Sequence, residues 1–146
     1  MGLLNGKICL VLGAAGRDNM GQVIARRFAD EGAKVAVAGR NSDELDRFAA
    51  EIGGMAVVCD ITDRDQVFAM TRAVSRECGR LDVGINCTGW GLLEPFEETT
   101  VETLSRMVDI QFKGPYYFFQ ALVEAMYDDR EERLLAEGAG DVLGQP

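Results

Sequence analysis

Four short and almost entirely apolar runs alternate with longer segments of helical pattern, and this alternation restricts the fold more than any other feature. The runs are 7–13 (KICLVLG), 34–39 (KVAVAG), 55–60 (MAVVCD) and 82–87 (DVGINC). Runs without polar alternation suit strands that are covered on both faces, as in a parallel sheet. Four strand–helix units in series predict right-handed crossovers. We therefore expect a single α/β domain over 1–146, a doubly wound parallel sheet between two helical layers.

Apolar stripes at helical spacing occupy the segments between these runs. The stripes are Val23, Ile24 and Phe28; Leu45, Phe48, Ala49 and Ile52; Val67, Met70, Thr71, Val74 and Cys78; and Leu104, Met107, Val108 and Gln111, continued by Tyr116, Phe119, Val123 and Met126. Thr62 is the predicted N-cap of the third helix, and Thr99 with Glu102 has the spacing of a capping box for the fourth. Pro115 predicts a kink in that fourth helix.

The composition argues against several classes of function. The chain has no histidine, which removes imidazole bases, histidine-activated nucleophiles and the commonest zinc ligand. Its net charge of −9 argues against a nucleic-acid partner, which needs a basic face, but not against a small phosphorylated ligand. The four cysteines form no C-x-x-C pair and are interpreted as reduced. The reduced cysteines lead us to expect a cytoplasmic protein, and the lack of an apolar run of about 18 residues leads us to expect no membrane partner.

Three glycines, Gly13, Gly16 and Gly21, lie between the first predicted strand and the first predicted helix. A helix N-terminus after such a loop offers free N–H groups to a phosphate. Tight strand-to-helix turns also use glycine without any ligand, and the ordinary G-x-G-x-x-G spacing is absent. On the loop alone, a phosphate cradle and a plain turn both remain open.

Motifs after all four strands together resemble the short-chain dehydrogenase/reductase family. They are "LGAAG…NMG", "AGR", "CDIT" and "NCTG", within a resemblance that spans about residues 5–126. The resemblance implies a Rossmann-type, three-layer fold and a pyrophosphate held by the glycine loop. The first and last glycines are eight residues apart, a length similar to that of the divergent branch with the enoyl-acyl-carrier-protein reductases. On that alignment the amides of Asn19 and Met20 face the phosphates.

Arg40 follows the second strand, where a cofactor without a 2′-phosphate usually meets a carboxylate. A guanidinium suits a phosphate instead, so we expect NADP(H) to be favoured over NAD(H). The alternative is an ordinary exposed arginine before a helix. Placing Gly13→Val in the loop is expected to abolish dinucleotide binding with a smaller effect on folding, because the branched side chain blocks the approach of the pyrophosphate.

The resemblance also assigns residues after the third and fourth strands. It implies that Asp60 and Ile61 contact the adenine, although Asp60 could equally be a turn residue before a helix cap. It implies that Asn86 braces the strand, with Thr88 and Gly89 against the cofactor ribose.

The catalytic residues of the family are largely missing from this sequence. Neither Y-x-x-x-K nor Y-x₆-K occurs, and the only lysines are Lys7, Lys34 and Lys113. Gln111, before "FKG", takes the position of the family's catalytic asparagine, and its place on an apolar stripe predicts a buried amide with a specific partner. We expect the missing serine, tyrosine and lysine beyond residue 146, either because the chain is a fragment of a longer enzyme or because the frame ends early.

Several functions remain open at this point. The first is NADP(H)-dependent hydride transfer between the cofactor and a carbonyl or hydroxyl carbon of a small-molecule substrate. The alternatives are an enoyl-thioester reductase, a non-catalytic nucleotide-binding or interaction protein, and, from the sheet pattern alone, a methyltransferase. The segment 127–140 is expected to be plain surface, and 140–144 could begin a fifth strand. The face that carries Tyr116, Phe119 and Val123 is expected to be exposed in this chain, whereas a full-length parent would bury it against later helices or a partner subunit. This exposure predicts a homo-oligomer.

Overall fold

Four parallel strands form the sheet of this protein, which the computed structural model describes over residues 2–136. They are β1 (Ile8–Leu12), β2 (Lys34–Gly39), β3 (Met55–Val58) and β4 (Val83–Asn86), in the spatial order β3-β2-β1-β4. All four predicted runs contain a strand, and β2 has the predicted bounds. The other three strands are shorter than their runs by one or two residues at one or both ends. The strand order reverses between β1 and β4, which opens a crevice at the carboxyl ends of these two strands.

Helices cover both faces of the sheet and confirm the three-layer architecture. They are α1 (Met20–Asp30), α2 (Ser42–Ile52), α3 (Arg64–Cys78), α4 (Val101–Val108) and α5 (Gly114–Ala136). Helices α1 and α2 pack on one face, and α3 and α5 on the other. Two short turns complete the order, a 3₁₀ turn (Phe96–Glu98) before α4 and a π-helical turn (Asp109–Lys113) between α4 and α5.

Strand β1 supplies both cores, because successive side chains of a strand point to opposite faces. Val11 packs in the core under α1 and α2 with Phe48, whereas Leu10 packs in the core under α3 and α5 with Phe118. All five residues of β1 are buried. The predicted apolar stripes of α2 and α3 are confirmed as the buried or partly buried faces of those helices.

Two predicted helix caps are wrong by one residue. Asp63, not Thr62, caps α3, because the amide and hydroxyl of Thr62 both donate to Asp60 and the Asp63 carboxylate accepts from the first turn of the helix. Thr100, not Thr99, caps α4, since the Thr99 hydroxyl donates back to a carbonyl four residues earlier.

The helix irregularity predicted at Pro115 lies just before it, in the π-helical turn. The amide of Gly114 donates to the Asp109 carbonyl, five residues back. Pro115 itself is the second residue of α5, which follows the π-helical turn without a break.

The prediction that one apolar stripe faces inward along the last helical segment is confirmed for Met126, which packs against the core, but is wrong for most of its members. Leu104, Tyr116, Phe119 and Val123 are all more than half exposed. The buried face of α5 is instead formed by Phe118, Ala121, Leu122 and Ala125. Both sides of this helix are apolar, so periodicity could not choose between them. In α1, Val23 of the predicted stripe is likewise exposed, while Ile24 and Phe28 pack against the core.

The exposed apolar residues of α4, the π-helical turn and α5 form one continuous stripe, here named the outer face. Its members recur every three or four residues: Val101, Leu104, Val108, Phe112, Tyr116, Phe119, Val123 and Tyr127. Their exposed fractions range from 39% to 74%. No described part of the chain covers this stripe.

Asp129 contradicts the expectation of plain surface for 127–140. Its side chain is buried, and its carboxylate accepts from the Leu81 amide at 2.7 Å and from the Ser75 hydroxyl. It therefore ties α5 to α3 and to the turn that leads into β4. The segment 140–144, a possible fifth strand, lies outside the described residues. Among the helices over residues 2–136, none is both long and apolar enough to cross a membrane.

Candidate functional site

A cleft of about 650 Å³ opens at the carboxyl ends of the strands, where the strand order reverses. This is the position at which open α/β sheets bind ligands, and the volume is that of a small-molecule site. Its walls come from the glycine loop, the ends of β2, β3 and β4, and α4 with the following turn. They are Gly13, Ala15, Gly16 and Asn19; Gly39, Arg40 and Asn41; Cys59, Asp60, Ile61 and Thr62; Cys87, Thr88, Gly89 and Trp90; and Glu102, Ser105, Arg106, Asp109 and Ile110.

Gly13 stands at the base of the loop in a conformation that favours glycine, with φ +98°. A Cβ there would lie 2.6 Å from the carbonyl carbon of Cys87 and 2.8 Å from the Thr88 amide nitrogen. The close contact at Gly13 is therefore with the loop after β4. This contact argues against the expectation that Gly13→Val affects folding less than it affects binding, because the added side chain would displace backbone inside the protein.

The side chain of Asn19, the N-cap of α1, holds the start of the loop. Its side-chain oxygen, Oδ1, accepts from the Gln22 amide at 3.0 Å, and its Nδ2 donates to the Gly13 carbonyl at 2.9 Å. Gly16 lines the cleft, and a Cβ on it would meet only the Asn19 side chain, at 3.1 Å. Gly16 is therefore the loop glycine whose substitution disturbs the protein backbone least.

Met20 and Gly21 do not line the cleft. The side chain of Met20 is 71% exposed, and α1 begins there, so its amide belongs to the first turn, whose N–H groups lack helical partners. A Cβ on Gly21 would lie 2.5 Å from the Gly13 carbonyl oxygen. Gly21 thus allows α1 to approach the loop closely.

Sequence analysis missed Gln22, a fully buried side chain behind the loop. Its Nε2 donates to the Ala14 carbonyl at 3.0 Å and to Glu44 at 2.9 Å, and its Oε1 accepts from the Asp18 amide at 2.9 Å. Asp18 has φ +53°, so the loop is locally strained where Gln22 holds it. The only signal in the sequence was its place in the first turn after the loop.

Glu44, in the first turn of α2, joins this loop to the second helix. Besides Gln22 it binds Arg47, at 2.6 Å, and lies 3.7 Å from Arg17 of the loop. Hydrogen bonds from Arg47 and Gln22, and the charges of both arginines, lower the pKa of Glu44 to about 2. Its carboxylate is therefore charged throughout the physiological range.

Arg40 follows β2 and lines the cleft with its side chain exposed. Within residues 2–136 its guanidinium forms neither a hydrogen bond nor an ion pair. The N-terminus of α2 lies directly after it, capped by Asn41. A free guanidinium beside a helix N-terminus favours an anion at this end of the cleft.

Asp60 and Ile61, after β3, both line the cleft. Asp60 accepts from the Thr62 amide at 2.9 Å and from the Thr62 hydroxyl at 2.8 Å. The Thr62 amide, its hydroxyl and then the Arg40 charge lower the pKa of Asp60. Asp60 is thus a turn residue as well as a wall of the cleft, so the two interpretations of it are compatible.

Asn86, expected to brace the strand, lies at the end of β4 and braces the loop that follows. Its carbonyl oxygen accepts from the Thr88 amide at 2.9 Å and from the Thr88 hydroxyl at 2.8 Å. Thr88 and Gly89 line the cleft, whereas Asn86 does not. The structure therefore brings Thr88 and Gly89 together with Arg40, Asp60 and the glycine loop around one cavity.

Gln111 lies outside the cleft, and the expectation of a buried amide is wrong, because its side chain is exposed. It does have a specific partner: its Nε2 donates to the Trp90 carbonyl at 3.1 Å. The Arg106 guanidinium lies 4.5 Å from the centre of the Trp90 ring. The loop after β4 is therefore held by two side chains of the adjacent helical segment.

The two thiols of the cleft are unsuited to nucleophilic chemistry. Burial, with the nearby charges of Asp60 and Asp63, raises the pKa of Cys59 to about 12, and burial raises the pKa of Cys87. A thiol with a raised pKa stays protonated, and the thiolate is the reactive form. Across the described part of the chain, no group of three or more acidic or cysteine side chains is placed to hold a metal ion.

Comparison with known proteins gives the cleft a family context. Residues 13–135 match the family model described as "Enoyl-(Acyl carrier protein) reductase". The chain is 32% identical over 145 residues to the D-threitol dehydrogenase of Mycolicibacterium smegmatis, covering 96% of this chain and 52% of that protein. The chain thus spans about half the length of the curated relatives that it matches.

Solved structures share the fold as well. A short chain dehydrogenase from Mycobacterium smegmatis superposes with a TM-score of 0.81 at 31% identity, over 86% of this chain and 54% of that one. An actinorhodin polyketide ketoreductase with NADPH gives a TM-score of 0.78 at 25% identity, over 86% of this chain and 49% of that one.

Proposed function

Because the chain belongs to the short-chain dehydrogenase/reductase family, we propose that its cleft binds a nicotinamide dinucleotide, NADP(H) in preference to NAD(H). The activity we propose is hydride transfer between that cofactor and a carbonyl or hydroxyl carbon of a small molecule. One observation carries the proposal: Arg40, Asp60 and the glycine loop line one cleft where the strand order reverses. D-threitol dehydrogenase, by its name, acts on a hydroxyl carbon, which supports the reaction class.

The residues present fit the cofactor. The amides of Gly16, Met20 and Gly21 have no hydrogen-bond partner among the described residues and are available to the pyrophosphate, whereas the Asn19 amide donates to the Gly16 carbonyl at 3.2 Å. Gly16 leaves the cleft open beside Asn19.

Thr88 and Gly89 would contact the cofactor ribose, and Asp60 with Ile61 would contact the adenine, since all four residues line the cleft. When bound, the cofactor supplies the hydride. The residues of this chain bind and orient it.

The proposed preference for NADP(H) over NAD(H) depends on Arg40. Its guanidinium is free among the described residues, and the position holds no carboxylate to accept from a ribose 2′-hydroxyl. A charge-assisted hydrogen bond to a 2′-phosphate contributes roughly 1.5–3 kcal/mol. The actinorhodin ketoreductase solved with NADPH supports the same cofactor.

The test is calorimetric titration of NADPH and NADH against the wild type and Arg40→Gln. Arg76→Gln, an exposed arginine of α3 outside the cleft, is the matched control. We expect the wild type to prefer NADPH by at least tenfold, Arg40→Gln to remove that preference, and Arg76→Gln to retain it. Equal affinity of the wild type for both cofactors would contradict the assignment.

The second candidate activity is reduction of an enoyl thioester. The description of the matching family model favours it, as does the eight-residue separation of Gly13 and Gly21. Neither candidate has its tyrosine–lysine pair within these 146 residues. Gln111, placed outside the cleft and bonded to Trp90, is better suited to position that loop than to relay protons.

The outer face is the proposed contact with a second copy of this chain. Its eight apolar residues recur every three or four positions along α4, the π-helical turn and α5, as in helices that pair side by side. Replacing Phe119 by glutamate at the centre of the stripe should shift the sedimentation of the protein toward the monomer. A wild type that sediments as a monomer would contradict this contact. The four cysteines, all free, are consistent with a cytoplasmic protein.

A further inference from the structure

The strongest unassigned feature of the molecule is the buried amide of Gln22, which bonds to three residues in two separate segments. Its two N–H groups and its carbonyl oxygen all have partners: Ala14 and Asp18 in the glycine loop and Glu44 in α2. Gln22 does not line the cleft, so it cannot bind a ligand there itself. It can act only through the loop that it holds.

The contacts of Gln22 fix the shape of the loop more than those of Asn19 alone could. Asn19 holds Gly13, at the start of the loop, whereas Gln22 holds Ala14 and also Asp18, the residue with positive φ near its end. A loop with two extra residues between its outer glycines has more conformations to lose when a ligand orders it. A side chain that already orders it removes part of that cost.

Glu44 links the glycine loop, through Gln22, to helix α2. It accepts from Gln22, belongs to the helix that begins directly after Arg40 and Asn41, and lies beside Arg17 of the loop. The segment expected to hold the ribose phosphate is thereby joined to the segment expected to hold the pyrophosphate.

We propose that Gln22 is a positioning residue that presets the glycine loop for the pyrophosphate of the dinucleotide, and that Glu44, by holding the Gln22 amide, couples this loop to the Arg40 segment. The inference rests on the proposed function, since it needs a dinucleotide in the cleft.

The variants separate a positioning role from a purely structural one. Gln22→Met keeps the length and burial of the side chain but removes its three hydrogen bonds. Glu44→Gln keeps an oxygen acceptor for Gln22 but loses the charge, and Glu44→Ala removes both. Thr71→Val is the matched control, because it removes a buried hydroxyl on the opposite face of the sheet.

Each variant is first checked for folding by urea unfolding, and the exchange rate of the Asp18 amide is then measured by NMR. Calorimetry follows with two probes: NADPH, which carries the pyrophosphate, and adenosine 2′-monophosphate, which carries the adenine and the ribose phosphate but neither phosphate of the pyrophosphate. We expect Gln22→Met and Glu44→Ala to increase the exchange rate of the Asp18 amide and to lower the affinity for NADPH about tenfold, because the loop loses hydrogen bonds that order it. Binding of the monophosphate should stay within about twofold. The loss of NADPH affinity should be smaller in Glu44→Gln than in Glu44→Ala, and Thr71→Val should match the wild type in NADPH affinity and in Asp18 exchange.

Three results would overturn the inference. Unchanged NADPH affinity in Gln22→Met shows that the hydrogen bonds of Gln22 do not contribute to binding of the dinucleotide. Equal losses of affinity for NADPH and for the monophosphate show a general structural role. A loss in Glu44→Gln as large as in Glu44→Ala shows that the ion pairs, not the bond to Gln22, matter. If the wild type itself binds no dinucleotide, the proposed function fails together with the inference. This outcome is distinguishable because the titration of the wild type alone shows it.

Discussion

Replacing Gly13 by alanine should destabilise the whole protein, although the added group is one methyl. At φ +98° an alanine adopts a strained conformation, which costs of order 1–3 kcal/mol. Its Cβ would also lie 2.6 Å from the Cys87 carbonyl carbon, and a main-chain neighbour cannot rotate away. Overpacking of this kind typically adds about 1–3 kcal/mol. The total, roughly 2–6 kcal/mol, is a large part of the stability of an ordinary domain.

Urea unfolding followed by circular dichroism measures this loss, with Gly16→Ala as the internal comparison. Gly16 has no positive φ, and its added Cβ would meet only the Asn19 side chain, at 3.1 Å. We expect Gly16→Ala to cost less than about 1 kcal/mol, because a side chain can yield where backbone cannot. A Gly13→Ala protein within 1 kcal/mol of wild type, or two variants with equal losses, would refute the reasoning from the β4 contact.

Three further outcomes follow from contacts described above. Asp129→Ala should lower the free energy of unfolding by about 1–3 kcal/mol, because the Leu81 amide loses its partner, and an unchanged urea midpoint would contradict this. The pKa of Glu44 is about 2 when folded and near 4.5 when unfolded, so its contribution to stability is present above pH 4.5 and is lost as the pH falls toward 2. Unfolding curves across this range should show a shallower decline for Glu44→Gln, and parallel declines would show that the bonds from Arg47 and Gln22 do not stabilise the charge. These 146 residues should show no NADPH-dependent reduction of aldehydes, ketones or enoyl thioesters, since general acid catalysis by the absent tyrosine–lysine pair contributes about 10²–10⁴-fold, and turnover above the blank would reveal other catalytic groups.

The sheet could be predicted because its physical signal is strong and local. A strand covered on both faces must be apolar at successive positions, as β1 is, and few other elements produce that pattern. The walls of the cleft followed from the same reasoning: the carboxyl ends of parallel strands meet at one edge, so Arg40, Asp60 and Thr88 had to converge.

What the sequence could not supply was any choice that depends on tertiary contacts. Helix α5 is apolar on both sides, so only its packing against α3 and β4 decides that Phe118 is buried and Phe119 exposed. Gln22 looks like an ordinary polar residue of a first helical turn, and its burial depends on Glu44 in the next helix. The caps at Asp63 and Thr100 were displaced by one residue, because neighbouring threonines compete for the same function.

The central position of β1 has a consequence for how the chain acquires its structure during synthesis. Cys9 pairs with Val35 and with Val83, positions 26 and 74 residues further along. Closing the longer loop costs only about 0.9 kcal/mol more in entropy than closing the shorter one. The two pairings therefore differ little in loop-closure free energy, but they become possible at different times. At about 5–20 residues per second, the ribosome needs roughly 2–10 s to progress from Val35 to Val83. During that interval β1 can pair with β2, while its other edge and the apolar surface later covered by α5 have no partner. A nascent chain at this stage is open to edge-to-edge association, and a chaperone that binds apolar segments would act in this interval.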